Sequence, residues 1–136
     1  MKKKIFIMAL LVAIITTTSA GAKTKDKNKE EHADAYRVRC TCYLPTGNKT
    51  AGGVYPYEGI IATNKEHLGQ TAALYTEDME FIGYFESLDT GGHEGLKNGT
   101  RIDVYRKNMK RAKKWIKKYG DYVYIEWIDD KEGEKK

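Results

Sequence analysis

Two aspartates lie at positions where an unpaired carboxylate would cost folding free energy. Asp89 opens the glycine turn Asp89-Thr90-Gly91-Gly92, and Asp103 lies between Ile102 and Val104 in an otherwise apolar segment. Burying a carboxylate among apolar groups costs free energy unless another group compensates for it. Acids in such surroundings tend to hold a proton and to donate it. The pair therefore predicts general acid–base chemistry, with Asp103 as the catalytic acid and Asp89 beside it.

A structural role for Asp103 is the alternative interpretation. Arg101 and Arg39 are candidate ion-pair partners for this carboxylate. An ion pair of that kind satisfies a buried acid without any catalysis. Acid–base chemistry that uses two carboxylates has a further candidate for the second one in Glu94.

Several nearby residues are predicted to contact a ligand. Gly91 and Gly92 allow backbone N–H groups to approach a ligand closely, although a tight turn alone also explains them. The Thr50 hydroxyl can bond a polar ligand or cap its own loop. Tyr84 can stack on a ligand ring, and tyrosine is also a good strand former.

The cysteines and histidines do not predict a metal site. Cys40 and Cys42 lie two apart, which in a strand places them on one face at roughly 6.5–7 Å. That separation is at or beyond the usual disulfide limit, so we expect two packed thiols. His32, His67 and His93 have no ligand spacing to them. We expect no metal and no cofactor, and an intermolecular disulfide through Cys40 stays open.

The first 22 residues resemble a secretory signal peptide. Three lysines precede an uncharged run, and small residues lead to a cleavage site after Ala22. An uncleaved anchor is the alternative, but the apolar run is short for a bilayer, so we expect no stable membrane insertion. Removing these lysines leaves 21 basic against 19 acidic residues. This balance argues against nucleic-acid binding. The signal peptide predicts a protein of the cell envelope or exterior.

The remaining chain is predicted to be one domain over residues 36–130. A polar tether over 23–35 precedes it, and a charged tail over 131–136 follows it. Alternating patterns predict six short strands, and helical spacing predicts one α-helix between Asn108 and Gly120. Short strands and short loops favour a small closed β-barrel. The strands are predicted at Tyr36–Cys42, Gly59–Thr63, Thr71–Tyr75, Glu80–Leu88, Arg101–Tyr105 and Tyr122–Ile128.

A set of short motifs resembles the 3D domain, a family named for three aspartates. The resemblance covers about residues 37–128, and its two most specific motifs are Asp89–Gly92 and Arg101–Tyr105. The weaker motifs are Thr41-Cys42-Tyr43, Lys49–Gly53, Gly59–Ala62 with Leu68-Gly69, and Ala112 with Trp115.

This resemblance implies a fold and an activity. The family is similar to stationary-phase survival proteins and to the catalytic part of membrane-bound lytic transglycosylase A, which use a double-psi β-barrel. Those relatives are lyases that cut the β-1,4 bond between N-acetylmuramic acid and N-acetylglucosamine and leave 1,6-anhydro ends. By this resemblance Asp103 is the acid/base and Asp89 its neighbour, and peptidoglycan glycan strands are the substrate.

Two departures from the family pattern bear on activity. Asn64 stands where the family has its first aspartate and is predicted to bind the substrate through its amide, and the segment between Asp89 and Asp103 is longer than usual. A glycan-binding module that has lost its chemistry is therefore the alternative function. A structural or interaction domain is a third possibility.

Overall fold

The computed structural model describes residues 32–128. The predicted signal peptide, most of the tether and the charged tail lie outside these residues. The elements are β1 Tyr36–Tyr43, β2 Ile60–Thr63, a 3₁₀ turn Lys65–His67, β3 Thr71–Tyr75, β4 Phe81–Thr90, α1 Glu94–Asn98, β5 Arg101–Tyr105, α2 Met109–Tyr119 and β6 Tyr122–Ile128.

The six strands close into a mixed barrel in the order β1-β5-β2-β4-β3-β6. The pairs β1–β5 and β2–β4 are parallel, and the other four pairs are antiparallel. Closure gives each strand a neighbour on both sides, so the barrel presents no open sheet edge. The predicted fold class is confirmed: a small, mainly β, six-stranded barrel with a helix before its last strand.

The barrel core consists of the inward side chains of alternating strand positions. Val38 and Cys40 of β1 are almost fully buried, as are Leu74 of β3 and Ile125 of β6. They belong to one apolar cluster that also contains Trp115 of α2. Burying each aliphatic side chain of this size contributes about 1.5–3 kcal/mol before the opposing entropy is counted. The core therefore fixes which face of every strand remains for function.

Helix α2 forms where the sequence predicts it. The Asn108 Oδ1 accepts a hydrogen bond from the Arg111 N–H at 2.9 Å, which caps the first turn. Gly120, at φ 76°, follows the last turn. Ala112 and Trp115 are buried, and the Trp115 ring meets Phe85 edge-on at 5.8 Å. This contact attaches the helix to the barrel.

Helix α1 is a departure from the prediction. The segment after Gly92 is expected to be a loop, yet Glu94–Asn98 forms one short helix. The His93 Nδ1 accepts from the Gly95 N–H at 3.0 Å, and Gly99, at φ 80°, ends the helix. Five residues are too few to show a helical period, so the sequence pattern does not reveal it.

Candidate functional site

One row of paired residues crosses four neighbouring strands and carries both aspartates. Ala62 of β2 pairs with Asp103 of β5 on one side and with Asp89 of β4 on the other. Asp103 pairs in turn with Thr41 of β1. A register shift between Ile61 and Ala62 brings Asp89, rather than Leu88, level with the row. The two aspartate Cα atoms are thus two strand spacings apart, on the order of 10 Å.

Both aspartates line a single cavity of about 240 Å³. Its other walls include Tyr43 of β1, Gly91 and Leu96. A second cavity of about 290 Å³ contains Asn64 and Lys97, and it shares Thr90 and Gly91 with the first. The strand end at Thr90–Gly91 therefore lies between two neighbouring cavities, and the two aspartates belong to one of them.

The surroundings of Asp103 differ from those suggested by its sequence neighbours. Ile102 and Val104 are buried in the barrel core, whereas Asp103 lies on the alternate face of β5. These two side chains therefore do not surround the carboxylate. The Asp103 side chain is nevertheless only 13% exposed, because the site around it covers it.

Asp103 is held by two donors that bond the same oxygen. The Thr41 hydroxyl donates a hydrogen bond to Oδ1, and Arg101 Nε donates to it at 2.8 Å. Arg101 Nη2 also donates to the Thr41 Oγ1 at 2.9 Å, which closes a triangle. Among the described residues, no group bonds Oδ2. The ion pair expected of a structural acid is thus present, and it lies beside a cavity.

Asp89 lies within β4, which continues through Thr90, and not in the glycine turn after it. Its Oδ1 accepts hydrogen bonds from the backbone N–H groups of Ala51 at 3.1 Å and Thr90 at 2.9 Å. The Gly52 N–H donates to the Leu88 carbonyl at 2.8 Å beside it. These bonds anchor the loop around Thr50 to the end of β4.

Tyr43 is a site residue that the sequence does not single out. Its hydroxyl is buried and has no hydrogen-bond partner among the described residues. Burial, and next the charge of Asp89, raise the pKa of Tyr43 well above its usual range. Asp89 is therefore electrostatically close, although no hydrogen bond of acceptable geometry joins the two. Tyr43 remains a protonated donor at the cavity wall.

Two of the predicted binding residues have roles in the local fold. The Asn64 Oδ1 accepts from the His67 N–H at 3.2 Å and caps the 3₁₀ turn. Gly91 lies so close to Leu96 that a side chain there would meet the leucine Cδ1 at 2.5 Å. Gly92 has open space around it. Packing therefore explains Gly91, whereas Gly92 has no such constraint.

Thr50 and Tyr84 are the remaining predicted binding residues. Thr50 is 6% exposed, and its hydroxyl has no hydrogen-bond partner among the described residues. Tyr84 is 66% exposed and packs edge-on against Phe81 at 5.0 Å. Tyr84 precedes Asp89 by five strand residues, roughly 17 Å, and lines neither cavity. The structure therefore does not bring Tyr84 to the aspartates.

Both cysteines are free thiols. Burial raises the pKa of Cys40 to about 12 and that of Cys42 to about 11, so both are protonated and weakly nucleophilic near neutral pH. Within residues 32–128, no group of three or more His, Cys, Asp or Glu side chains is arranged to hold a metal ion. In the same part of the chain, no helix has the length and apolarity needed to cross a membrane.

The arrangement provides a carboxylate with one unbonded oxygen, a second carboxylate on the same cavity and a protonated phenol. These groups can transfer a proton and orient a hydroxylated ligand. No protein-family model matches the chain, and no curated protein matches it. The resemblance to the 3D domain therefore remains a prediction from the motifs.

Proposed function

We propose that this protein is an exported lytic transglycosylase that cleaves the β-1,4 bond between N-acetylmuramic acid and N-acetylglucosamine in peptidoglycan. The observation that supports it is the pair of aspartates on one cavity, with Asp103 fixed through only one of its oxygens. A lytic cleavage needs a single residue that first gives and then takes a proton. The chemistry therefore centres on Asp103.

In the proposed reaction, protonated Oδ2 of Asp103 donates its hydrogen to the bridging oxygen as the C1–oxygen bond breaks. The C6 hydroxyl of the same sugar then attacks C1 and gives its proton to Oδ2. The products are a chain end with a free hydroxyl and a 1,6-anhydro sugar. No water is consumed, and Asp103 recovers its proton. Thr41 and Arg101 keep Oδ1 in place during both steps.

Asp89 and Tyr43 have supporting roles in this proposal. Asp89 carries its negative charge on the same cavity and can stabilise positive charge that develops at C1. Its backbone donors hold it in place for this task. The buried Tyr43 hydroxyl is available to donate to a sugar oxygen. Asn64 lines the neighbouring cavity, which in this proposal receives the adjoining sugar.

Digestion of purified peptidoglycan tests the proposal. The wild-type protein should release fragments with 1,6-anhydro ends, and Asp103→Asn should lower the rate by about a thousandfold. Asp78→Asn is the matched control, because Asp78 is an exposed aspartate in the turn before β4 and lines neither cavity. Reducing ends would show hydrolysis instead. Equal rates for the wild type and Asp103→Asn would exclude Asp103 as the acid.

A second candidate is a glycan-binding module without catalysis. The Arg101–Asp103 ion pair favours it, because this contact also satisfies a purely structural acid. Asn64, which stands where the 3D-domain motif has an acid, also favours a binding module. Under this alternative the protein sediments with insoluble peptidoglycan, releases no fragments, and loses binding when Tyr43 or Asp89 is replaced.

A further inference from the structure

Helix α2 has an unusual charge distribution. Among its 11 residues are six basic side chains and no acidic one. Its apolar positions Ala112 and Trp115 are buried against the barrel. The basic side chains are all exposed: Lys110, Arg111, Lys113, Lys114, Lys117 and Lys118. From the sequence alone this pattern is typical of a solvated face over a packed stripe.

A cavity of about 180 Å³ lies along this helix. It is lined by Arg106, Arg111, Lys114, Trp115, Lys118 and Tyr119. None of these residues lines the two cavities beside the aspartates. The cavity is therefore a separate place on the molecule, and an inference from it does not depend on the proposed function.

The cations of this cavity outnumber the acids near them. Arg106 and Arg111 share one carboxylate, Glu58, at 3.5 Å and 2.5 Å respectively. Lys114 and Lys118 form no ion pair with any described residue. Four basic groups and one acid leave three positive charges uncompensated. The two lysines are one helical turn apart, a spacing at which like charges repel, and an anion would relieve this repulsion.

The two arginines are already fixed in position. The Arg106 guanidinium lies 4.3 Å from the centre of the Trp115 ring, and its side chain is 12% exposed. Glu58 bonds both Arg111 Nε and Arg111 Nη2. Two held guanidinium groups with two exposed lysines beside them form a site suited to an oxyanion with several acceptor oxygens. Phosphate has this character, and arginine binds it well.

We propose that this cavity binds a phosphate group of a linear phosphodiester polymer that carries no bases. A polymer, rather than a lone ion, fits because exposed Lys110, Lys113 and Lys117 extend the positive charge along the same helix. Neither aromatic ring of this cavity is open for a nucleobase to stack on. Trp115 is 6% exposed and lies beneath Arg106, and the Lys118 Nζ lies 5.1 Å from the centre of the Tyr119 ring. Insertion into a bilayer needs a continuous exposed apolar stripe, whereas in α2 Ala112 and Trp115 are buried and only Met109 and Ile116 are exposed apolar residues.

A titration followed by ¹H–¹⁵N NMR on the full chain tests the site. The probes are inorganic phosphate, poly(glycerol phosphate) and vesicles containing phosphatidylglycerol. The indole N–H signal of Trp115 should shift, and that of Trp127, the other tryptophan, is an internal reference. The polymer should bind at least about tenfold more tightly than inorganic phosphate at low salt, because it neutralises several cations at once.

Two double variants with the same change in charge locate the binding. Lys114→Gln with Lys118→Gln should weaken polymer binding by about tenfold and lower the salt dependence by roughly two charges. Lys113→Gln with Lys117→Gln removes two exposed lysines of the same helix that do not line the cavity, and should cost less than about threefold.

Three outcomes would overturn the inference: no shift of the Trp115 signal with any probe, equal losses in the two double variants, or tighter binding to vesicles than to the polymer. The last would assign the phosphate to a lipid headgroup. Asp103→Asn should bind the polymer like the wild type. Failure of the glycan digest and failure of this titration are therefore distinguishable.

Discussion

Asp89 and Asp103 pair with the same residue, Ala62, from opposite sides of strand β2. Fourteen positions separate them in the chain, and helix α1 occupies part of that interval. Their relative position is therefore set by the barrel and not by the connecting segment. A reshaped loop between them can alter the cavity wall, through Leu96, without moving the two strands that carry the acids.

Replacing Arg101 should show how much its contacts with Asp103 and Thr41 contribute to stability. Arg101→Gln removes the ion pair and the bond to Thr41, so we expect a loss of about 1–3 kcal/mol in the free energy of unfolding. Arg39→Gln is the matched control, because Arg39 pairs with Arg101 across β1 and β5, whereas among the described residues only Thr41 and Arg101 bond the Asp103 side chain. Denaturant unfolding measures both variants. Equal losses in the two variants would show that a positive charge at either arginine, and not the hydrogen bonds of Arg101 to Asp103 and Thr41, stabilises the protein.

Replacing Tyr43 by phenylalanine should affect function more than stability. The hydroxyl is buried without a partner among the described residues, so its removal should leave the free energy of unfolding unchanged or raise it by up to about 1 kcal/mol. Glycan turnover or binding should fall by about tenfold, because a buried donor to the ligand is lost. Tyr84→Phe, at an exposed position, controls for both. A large loss of stability in Tyr43→Phe would show that the interaction of the hydroxyl with Asp89 stabilises the fold.

The two glycines of the turn should respond differently to alanine. Gly91→Ala places a methyl group against buried Leu96, and overpacking of this kind costs about 1–3 kcal/mol. Gly92→Ala meets open space and should change stability by less than about 0.5 kcal/mol. Thermal unfolding compares them. Adding Leu96→Val should recover part of the loss in Gly91→Ala, and no recovery would contradict the assigned clash.

Glu58 should link stability to acid pH. Its hydrogen bond from Arg111 is the main cause that lowers the pKa of Glu58 below 4.5. A lowered folded-state pKa stabilises the protein above the unfolded value, and this contribution is lost as pH falls through the folded value. Glu58→Gln should cost about 1 kcal/mol at pH 7, because Arg111 is half exposed. The variant's deficit should shrink as the pH falls from 5 towards 3, and a constant deficit would contradict this.

The sequence predicts most of the barrel because its strands alternate clearly. β3, β5 and β6 begin and end at the predicted residues, and α2 lies between the predicted cap and stop. β4 extends two residues past its predicted end, to Thr90, because its pairing with β2 continues there. Such pairing depends on a distant strand, and no local pattern encodes it.

The site is only partly readable from the sequence for the same reason. Asp89 and Asp103 are conspicuous by their local setting, but Thr41 lies 62 positions before Asp103 and meets it only through parallel pairing. Tyr43 reaches the cavity by the same pairing. The expected apolar surroundings of Asp103 do not come from Ile102 and Val104, because alternate strand residues point to opposite faces.

The row through Thr41, Asp103, Ala62 and Asp89 also has a kinetic consequence. Its members come from the first, second, fourth and fifth strands, so no single hairpin contains them. Distant pairings of this kind form slowly, on the order of milliseconds to seconds in small β-proteins. The chain therefore brings the two aspartates to one cavity only after these four strands have paired.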